Sequence, residues 1–274
     1  NNNMNFWRTP KNRNTLTKLA LVIAVGLLLG IWLGLTPPGL LGKADALGYA
    51  VCHRIPERSF ALGERPSPLC ARCSGMYLGA LLGLLYQMRL GRRAQLPPLK
   101  ILVVLGIFLG AFGFDGTNSY LHFFPQAPHL YEPNNTLRLL TGTGVGLGIA
   151  LMVLPVFHQT VWKNFDPRAA IGSWPPFAGL MALAALLLGI TLWENPLLLY
   201  PLMLAGSASI LVVLTLVYTM VWVMLLRRDN QFTTWSDLWP FALAGFGVAL
   251  LQIAAIDLVR FLLTGTWDGF FIPI

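Results

Sequence analysis

The sequence predicts an all-α, polytopic integral membrane protein of about seven transmembrane helices, with the N-terminus cytoplasmic and the C-terminus outside. Three observations carry that prediction. Of the 274 residues, 55% are hydrophobic and only 11% charged, where a soluble domain carries about 25% charged residues. The apolar residues fall in runs of about 20, the length at which a helix crosses a bilayer. Lys and Arg collect in the short segments between those runs, where they set orientation. The net charge of +8 is therefore a topology signal. Nucleic acid is set aside as a partner, and the lipid bilayer is the expected one.

The first span covers about 17–37 and stops at Pro37-Pro38. Residues 1–16 are a cytoplasmic tail whose Arg8, Lys11 and Arg13, with Lys18, resemble the basic region of a signal peptide, and Ala44-Asp45-Ala46 imitates a cleavage site. The apolar run is too long for a signal, so it reads as an uncleaved helix. A polar outer segment follows at 39–73, with a short interfacial helix over about 43–52. The later spans are expected at about 73–88, 98–114, 137–157, 176–193, 198–226 and 238–263.

The basic residues of three connecting segments agree on one side. Arg89, Arg92, Arg93 and Lys100 follow the second span, Lys163 and Arg168 the fourth, and Arg227 and Arg228 the sixth. These become cytoplasmic, which leaves the 115–136 loop, the Glu194-Asn195 turn and the cysteine segment outside. The cysteine segment opposes the rule with Lys43, Arg54, Arg58, Arg65 and Arg72, but the other loops outweigh it.

Glycines at i, i+4 recur on the first four helices: Gly26, Gly30 and Gly34; Gly75, Gly79 and Gly83; Gly106 and Gly110; Gly142 and Gly146, with Gly144 and Gly148. That spacing lets helix backbones approach closely in lipid. It predicts a four-helix core over 17–158, capped by the Cys/His loop at 39–73. The three helices within 159–274 have sparser glycine and more Leu, Val and Trp. They read as a second subregion, open to other membrane subunits. The expected location is the plasma membrane, multi-pass.

The chemistry concentrates in Cys52-His53-Arg54-Ile55-Pro56-Glu57-Arg58-Ser59-Phe60 and Cys70-Ala71-Arg72-Cys73-Ser74-Gly75, which hold every cysteine of the chain. An odd count leaves at least one cysteine unpaired within the chain. Cys70 and Cys73 begin a helix, whose free N–H groups and dipole favour thiolate, and Arg72 and Arg54 push the same way. Three readings follow. Cys52, Cys70 and Cys73 could hold a soft ion, zinc first with iron open, and His53 or a carboxylate such as Asp115 could complete a tetrahedron. His53 is the weaker ligand, because adjacent residues rarely reach one ion without strain. The protein would then be a non-catalytic accessory or scaffold subunit of a membrane complex.

In the second reading Cys70 and Cys73 cycle between dithiol and disulfide, with Cys52 exchanging, in an oxidoreductase coupled to a lipid quinone. Such a relay usually needs a second cysteine pair, which this chain lacks. In the third, Cys70 and Cys73 form a static disulfide or are buried thiols, and His53 caps the short helix. Whether the protein is an enzyme stays open at this point.

Further polar residues fall at the same membrane face. Asp115, with Asn118 beside it, closes the third helix and Arg138 opens the fourth, so they could form an ion pair or cap helix ends. Asp257 and Arg260 lie one turn apart on the seventh helix, where ionisable groups face a cavity or a partner, or neutralise each other. With Arg54, Arg58 and Arg72 they put the polar groups in the outer half of the bundle, so a site would open outward.

The blocks Cys52–Phe60, Pro68–Gly79, Phe114–Ser119 and Asn134–Gly142, in that order, resemble the membrane-protein family known as domain of unknown function 2085. The resemblance covers about 44–158, and the first two blocks together are specific. It implies which residues form the core site and names no reaction. The last three helices lie outside it.

Overall fold

Two helices pack so closely that side chains are excluded between them. They are α3 (Ala71–Met88) and α5 (Asn135–Val161), in a computed structural model that describes residues 11–124 and 130–269. A Cβ placed on Gly79 would lie 2.6 Å from the Thr143 carbonyl oxygen, and one on Gly83 would lie 2.6 Å from the Ala150 Cβ. From the other side, Gly142 and Gly146 press on the Arg72 and Met76 carbonyls. Only hydrogen fits at these positions, so the glycines set the helix separation.

That role does not extend to all four glycine-bearing helices. Gly26, Gly30 and Gly34 on α1 (Lys11–Leu35) and Gly106 and Gly110 on α4 (Leu99–Leu121) meet nothing within 4 Å. Helix α1 turns other residues to the protein. Its Val25 and Trp32 are buried, and Val25 packs against Gly247 on α8 (Trp235–Thr264). The expectation of one tight bundle through helices one to four is thus corrected to a single close pair, α3 and α5. Around it stand α4, α6 (Trp174–Leu192) and α7 (Pro196–Leu225), and α8 joins α7 to α1.

Among the described residues, six helices are long and apolar enough to cross a membrane: Thr15–Leu35, Leu99–Leu121, Asn135–Val161, Trp174–Leu192, Pro196–Leu225 and Trp235–Thr264. Helix α3 is the exception. Its 18 residues reach about 27 Å at 1.5 Å per residue, but Arg72, Tyr77, Tyr86 and Gln87 dilute its apolar character. Its neighbours α5, α6 and α7 shield it, so its composition answers to protein and not to lipid. Gln87 shows this: its buried Nε2 donates to the Gly83 and Ala150 carbonyls at 3.1 and 2.8 Å.

The connections gather at two ends. At one, β3 (Arg93–Gln95) pairs parallel with β4 (Asp166–Ala169), Arg92 donates to the Thr233 carbonyl at 2.9 Å, and the Lys163 amide donates to Phe232 at 2.8 Å. The three basic segments of the sequence therefore share one end.

At the other end, α2 (Gly39–Val51) is longer than the expected interfacial helix and largely buried. It leads through a 3₁₀ turn, Pro56–Arg58, into an antiparallel hairpin of β1 (Ser59–Leu62) and β2 (Arg65–Cys70). Pro66 and Pro68 hide β2 from pattern reading. Proline is tolerated there because a two-stranded ribbon has only edge strands. Gly63 at φ +66° makes the turn. Helix α4 also runs on to Leu121, so Asp115 and Asn118 lie on a helix and not at the start of the expected loop.

The glycine contact yields a direct test. In detergent, Gly79→Leu should lose about 1–3 kcal/mol through overpacking, with a matching drop in melting temperature, while Gly30→Leu should melt like the native chain. Equal effects of the two substitutions would contradict the packing described.

Candidate functional site

Helix α2 and strand β2 touch at Gly48, where any side chain would strike the Pro68 carbonyl. This contact brings the end of α2 beside the end of β2. Cys52 caps α2, its amide donating to the Gly48 carbonyl at 2.8 Å, and the Cys70 amide donates to the Cys52 Sγ at 3.3 Å. Cys70 is also the N-cap of α3, which places Cys73 one turn away. The three sulfurs consequently lie within 4.8 Å of one another. Cys52 and Cys70 are buried, Cys73 is partly so, and none is in a disulfide.

The thiols are electrostatically unequal. Hydrogen bonds from the Cys70 and Cys73 thiols hold Cys52 well below the usual thiol range, against the opposing effect of burial. The same contact with Cys52, helped by burial, pushes Cys70 up to about 12. The trio thus favours one thiolate solvated by two thiol donors. One wall is apolar, built from Trp32, Ala46, Leu47, Ile210, Leu250 and Ile253.

His53 stays apart from the sulfurs. Its Nδ1 accepts from the Ile55 amide at 3.1 Å, and among the described residues the sulfurs are the one group of three or more His, Cys, Asp or Glu ligand atoms that meet. Burial pushes its pKa down. The Cys52 thiolate pulls the other way, and the Arg58, Arg72 and Arg138 charges add to the depression, so the ring is neutral. Asp115 is absent from the sulfur group as well.

Asp115 pairs with Arg72, not with Arg138, the ion-pair partner the sequence left open beside helix capping, and its other oxygen accepts from the Tyr131 hydroxyl at 2.7 Å. The reason is reach: Arg72 sits in the first turn of α3, facing α4. Arg138 donates to the Asn135 Oδ1 at 2.9 Å. Asn118 clasps the chain beyond α4, donating to the Tyr131 carbonyl at 2.9 Å and accepting from the Leu130 amide at 2.8 Å. Arg58 donates to the Ser119 carbonyl at 3.1 Å and lies 3.7 Å from the centre of the Phe123 ring.

Asp257 and Arg260 serve separate partners. Asp257 accepts from the Trp32 indole at 3.1 Å and so ties α8 to α1. Arg260 donates to the Tyr49 and Cys52 carbonyls at 2.5 and 2.7 Å, closing the C-terminal end of α2. It also stacks 3.9 Å from the Tyr49 ring. Arg54, in the left-handed region at φ 55°, donates to the Trp267 carbonyl at 2.7 Å.

In the sequence Asp45 stands out only as the middle of the Ala44-Asp45-Ala46 cleavage-site mimic. In the fold this buried carboxylate bridges two arginines, Arg54 at 2.7 Å and Arg65 at 2.5 Å. The available signal was a lone acid in the apolar Gly39–Val51 run next to an arginine-rich segment. Tyr49 and Trp267 also escaped notice, since their contacts join residues more than 200 positions apart.

The family described as "Predicted membrane protein (DUF2085)" matches residues 52–152. Over 113 residues the chain is 35% identical to an uncharacterised protein of Methanothermobacter thermautotrophicus, covering 39% of this chain and 88% of that protein. The chain belongs to the DUF2085 family. A second relative, an uncharacterised protein of Methanocaldococcus jannaschii, is 29% identical over 116 residues, 42% of this chain and 69% of that protein. No solved structure matches the chain. The DUF2085 segment contains the three cysteines, Arg58, Arg72, Asp115, Asn118 and Arg138. Asp45 and Arg260, which bond to Arg54 and to the Cys52 carbonyl, lie outside it, as does Asp257, which ties α8 to α1.

The Asp45 bridge predicts an asymmetry. Asp45→Ala strands the buried Arg54 charge and should cost about 3–5 kcal/mol. Arg65, whose side chain is 47% exposed, should cost under about 1 kcal/mol when changed to Ala. Chemical denaturation of the two variants in detergent checks this, and a larger loss for Arg65→Ala would contradict it.

Proposed function

We propose that this multi-pass membrane protein holds one soft divalent ion on Cys52, Cys70 and Cys73, zinc first and iron second, and that it acts as an accessory or scaffold subunit of a membrane complex. The observation that carries the reading is the convergence of three sulfurs from three separate elements. Zinc bound at about 2.3 Å in a tetrahedron sets its sulfurs about 3.8 Å apart, which sulfurs within 4.8 Å of one another reach with small side-chain movements. The Cys70 N–H already directed at the Cys52 sulfur is the kind of outer contact that orients a thiolate ligand.

A bound ion would supply charge neutralisation for the thiolates and would pin the end of α2, the end of β2 and the start of α3 together. Three protein ligands leave one coordination position to a non-protein ligand. The basic loops that share one end of the bundle support a cytoplasmic N-terminus and an outward cysteine end. The archaeal relatives fit placement in the cell membrane. Exposed Leu186, Leu192 and Trp193 on and next to α6, and Leu262 and Leu263 on α8, suit contact with lipid or with helices of partner subunits.

Elemental analysis of the purified protein tests the proposal. Native protein should carry about one zinc or iron per chain, the stoichiometry of a single tetrahedral site, and Cys52→Ser and Cys73→Ser should each lose most of it. Metal-free native protein with a Cys70–Cys73 disulfide that exchanges with a quinone-linked partner would replace this reading with the thiol oxidoreductase one.

A further inference from the structure

We propose a binding site for a phosphate group among Arg58, Arg72 and Arg138, at the cysteine end of the bundle. The inference goes beyond the metal reading and does not depend on it. Three elements converge there. The Arg58 and Arg72 guanidiniums both close on Ser119, one donating to its carbonyl and one to its hydroxyl, each at 3.1 Å. The start of α5 leans on the 3₁₀ turn that carries Arg58, through the Asn135 amide and the Glu57 carbonyl at 3.4 Å. One turn along α5 from Arg138, Gly142 meets the Arg72 backbone. The three guanidiniums, carried by separate parts of the chain, are close enough for their charges to repel one another.

Their charge is not balanced. Arg138 is 6% exposed, and its side chain has the Asn135 oxygen as a partner but, among the described residues, no carboxylate. Arg58 has a carbonyl and an aromatic ring as partners, while Glu57 beside it is exposed. Asp115 forms its ion pair with Arg72 and reaches Arg138 only through space, and the Arg72 Nε is buried without a partner. The sulfur cluster contributes at most one net negative charge, as a lone thiolate or as a divalent ion with three thiolates. Three buried or half-buried cations therefore face two buried anions, since the third acid acting on them, Glu57, lies exposed to solvent that screens it. A buried arginine left without a counter-charge is costly, and an anion removes that cost.

The donor geometry selects the anion. Guanidinium forks recognise oxyanions through paired N–H bonds. Three forks from different directions suit the several acceptors of a tetrahedral phosphate better than the two of a planar carboxylate. The dipole of α5, a helix of 27 residues, adds positive potential because Arg138 lies in its first turn. The site is at the end of a membrane-spanning helix, so the phosphate could come from solution or from a lipid headgroup.

Calorimetric titration of inorganic phosphate into the full chain, in phosphate-free detergent buffer, tests the proposal. Saturable binding is expected. Arg58→Gln, a half-buried position where folding should survive, is expected to weaken it roughly tenfold, the effect of losing one charge-assisted contact. Arg138→Lys, which keeps the charge but loses the fork, should weaken it as well. Cys52→Ser protein should bind phosphate at least as tightly as the native chain even if it has lost metal, which separates this site from the metal reading. In nanodiscs, suppression of phosphate binding by phosphatidic acid but not phosphatidylcholine would assign the site to a headgroup, and no suppression would assign it to a solute. No saturable binding by the native chain, or native affinity in both arginine variants, would overturn the proposal.

Discussion

The close contact of α3 with α5 is the constraint on which the cysteine end depends. Glycines on both helices bring the backbones together, and that separation sets where Arg72, Cys73 and Arg138 stand relative to one another. A helix pair held a few ångströms further apart would still cross a bilayer. It would not bring Arg72 to Asp115 on α4 while its neighbours Cys70 and Cys73 face Cys52 on the opposite side. Lipid offers little hydrophobic drive between helices, so close backbone packing and polar contacts are what remain to order this end.

The site has two unlike walls, and each follows from the elements behind it. Helices α1, α2, α7 and α8 supply Trp32, Leu47, Ile210 and Leu250, which exclude water from the sulfurs. The 3₁₀ turn and the first turns of α3 and α5 supply arginines on the other side. An apolar wall raises the free energy of any unpaired charge, and the cations opposite lower that of thiolate or anion. Long-range contacts keep the walls in register: Arg260 on the carbonyls of Tyr49 and Cys52, Arg54 on Asp45, and Trp32 on Asp257.

Helical membrane architecture was legible in the sequence because long apolar runs and basic connections are local signals. So was the cysteine cluster, since Cys70 and Cys73 are one turn apart and Cys52 is the remaining thiol. Two kinds of feature were hidden. The β1–β2 hairpin carries Pro66 and Pro68, which break any strand pattern, and it forms only against α2. Partner choice was hidden too, because glycine spacing on α1 and α4 looks the same as on α3 and α5, and only the fold shows which faces meet. Asp115 pairs with Arg72 and not Arg138 because the Arg72 side chain points from α3 toward α4, a direction that spacing along the chain does not encode. Residues 1–10, the larger part of the expected cytoplasmic tail, lie outside the described residues.

The central claim is that Cys52, Cys70 and Cys73 bind one ion together, with a position left to a non-protein ligand. X-ray absorption at the metal edge of the purified protein tests this most directly. The account predicts three sulfur neighbours at about 2.3 Å and one lighter oxygen or nitrogen neighbour at about 2.0 Å. A metal shell without sulfur, or one with four sulfurs drawn from two chains, would contradict it.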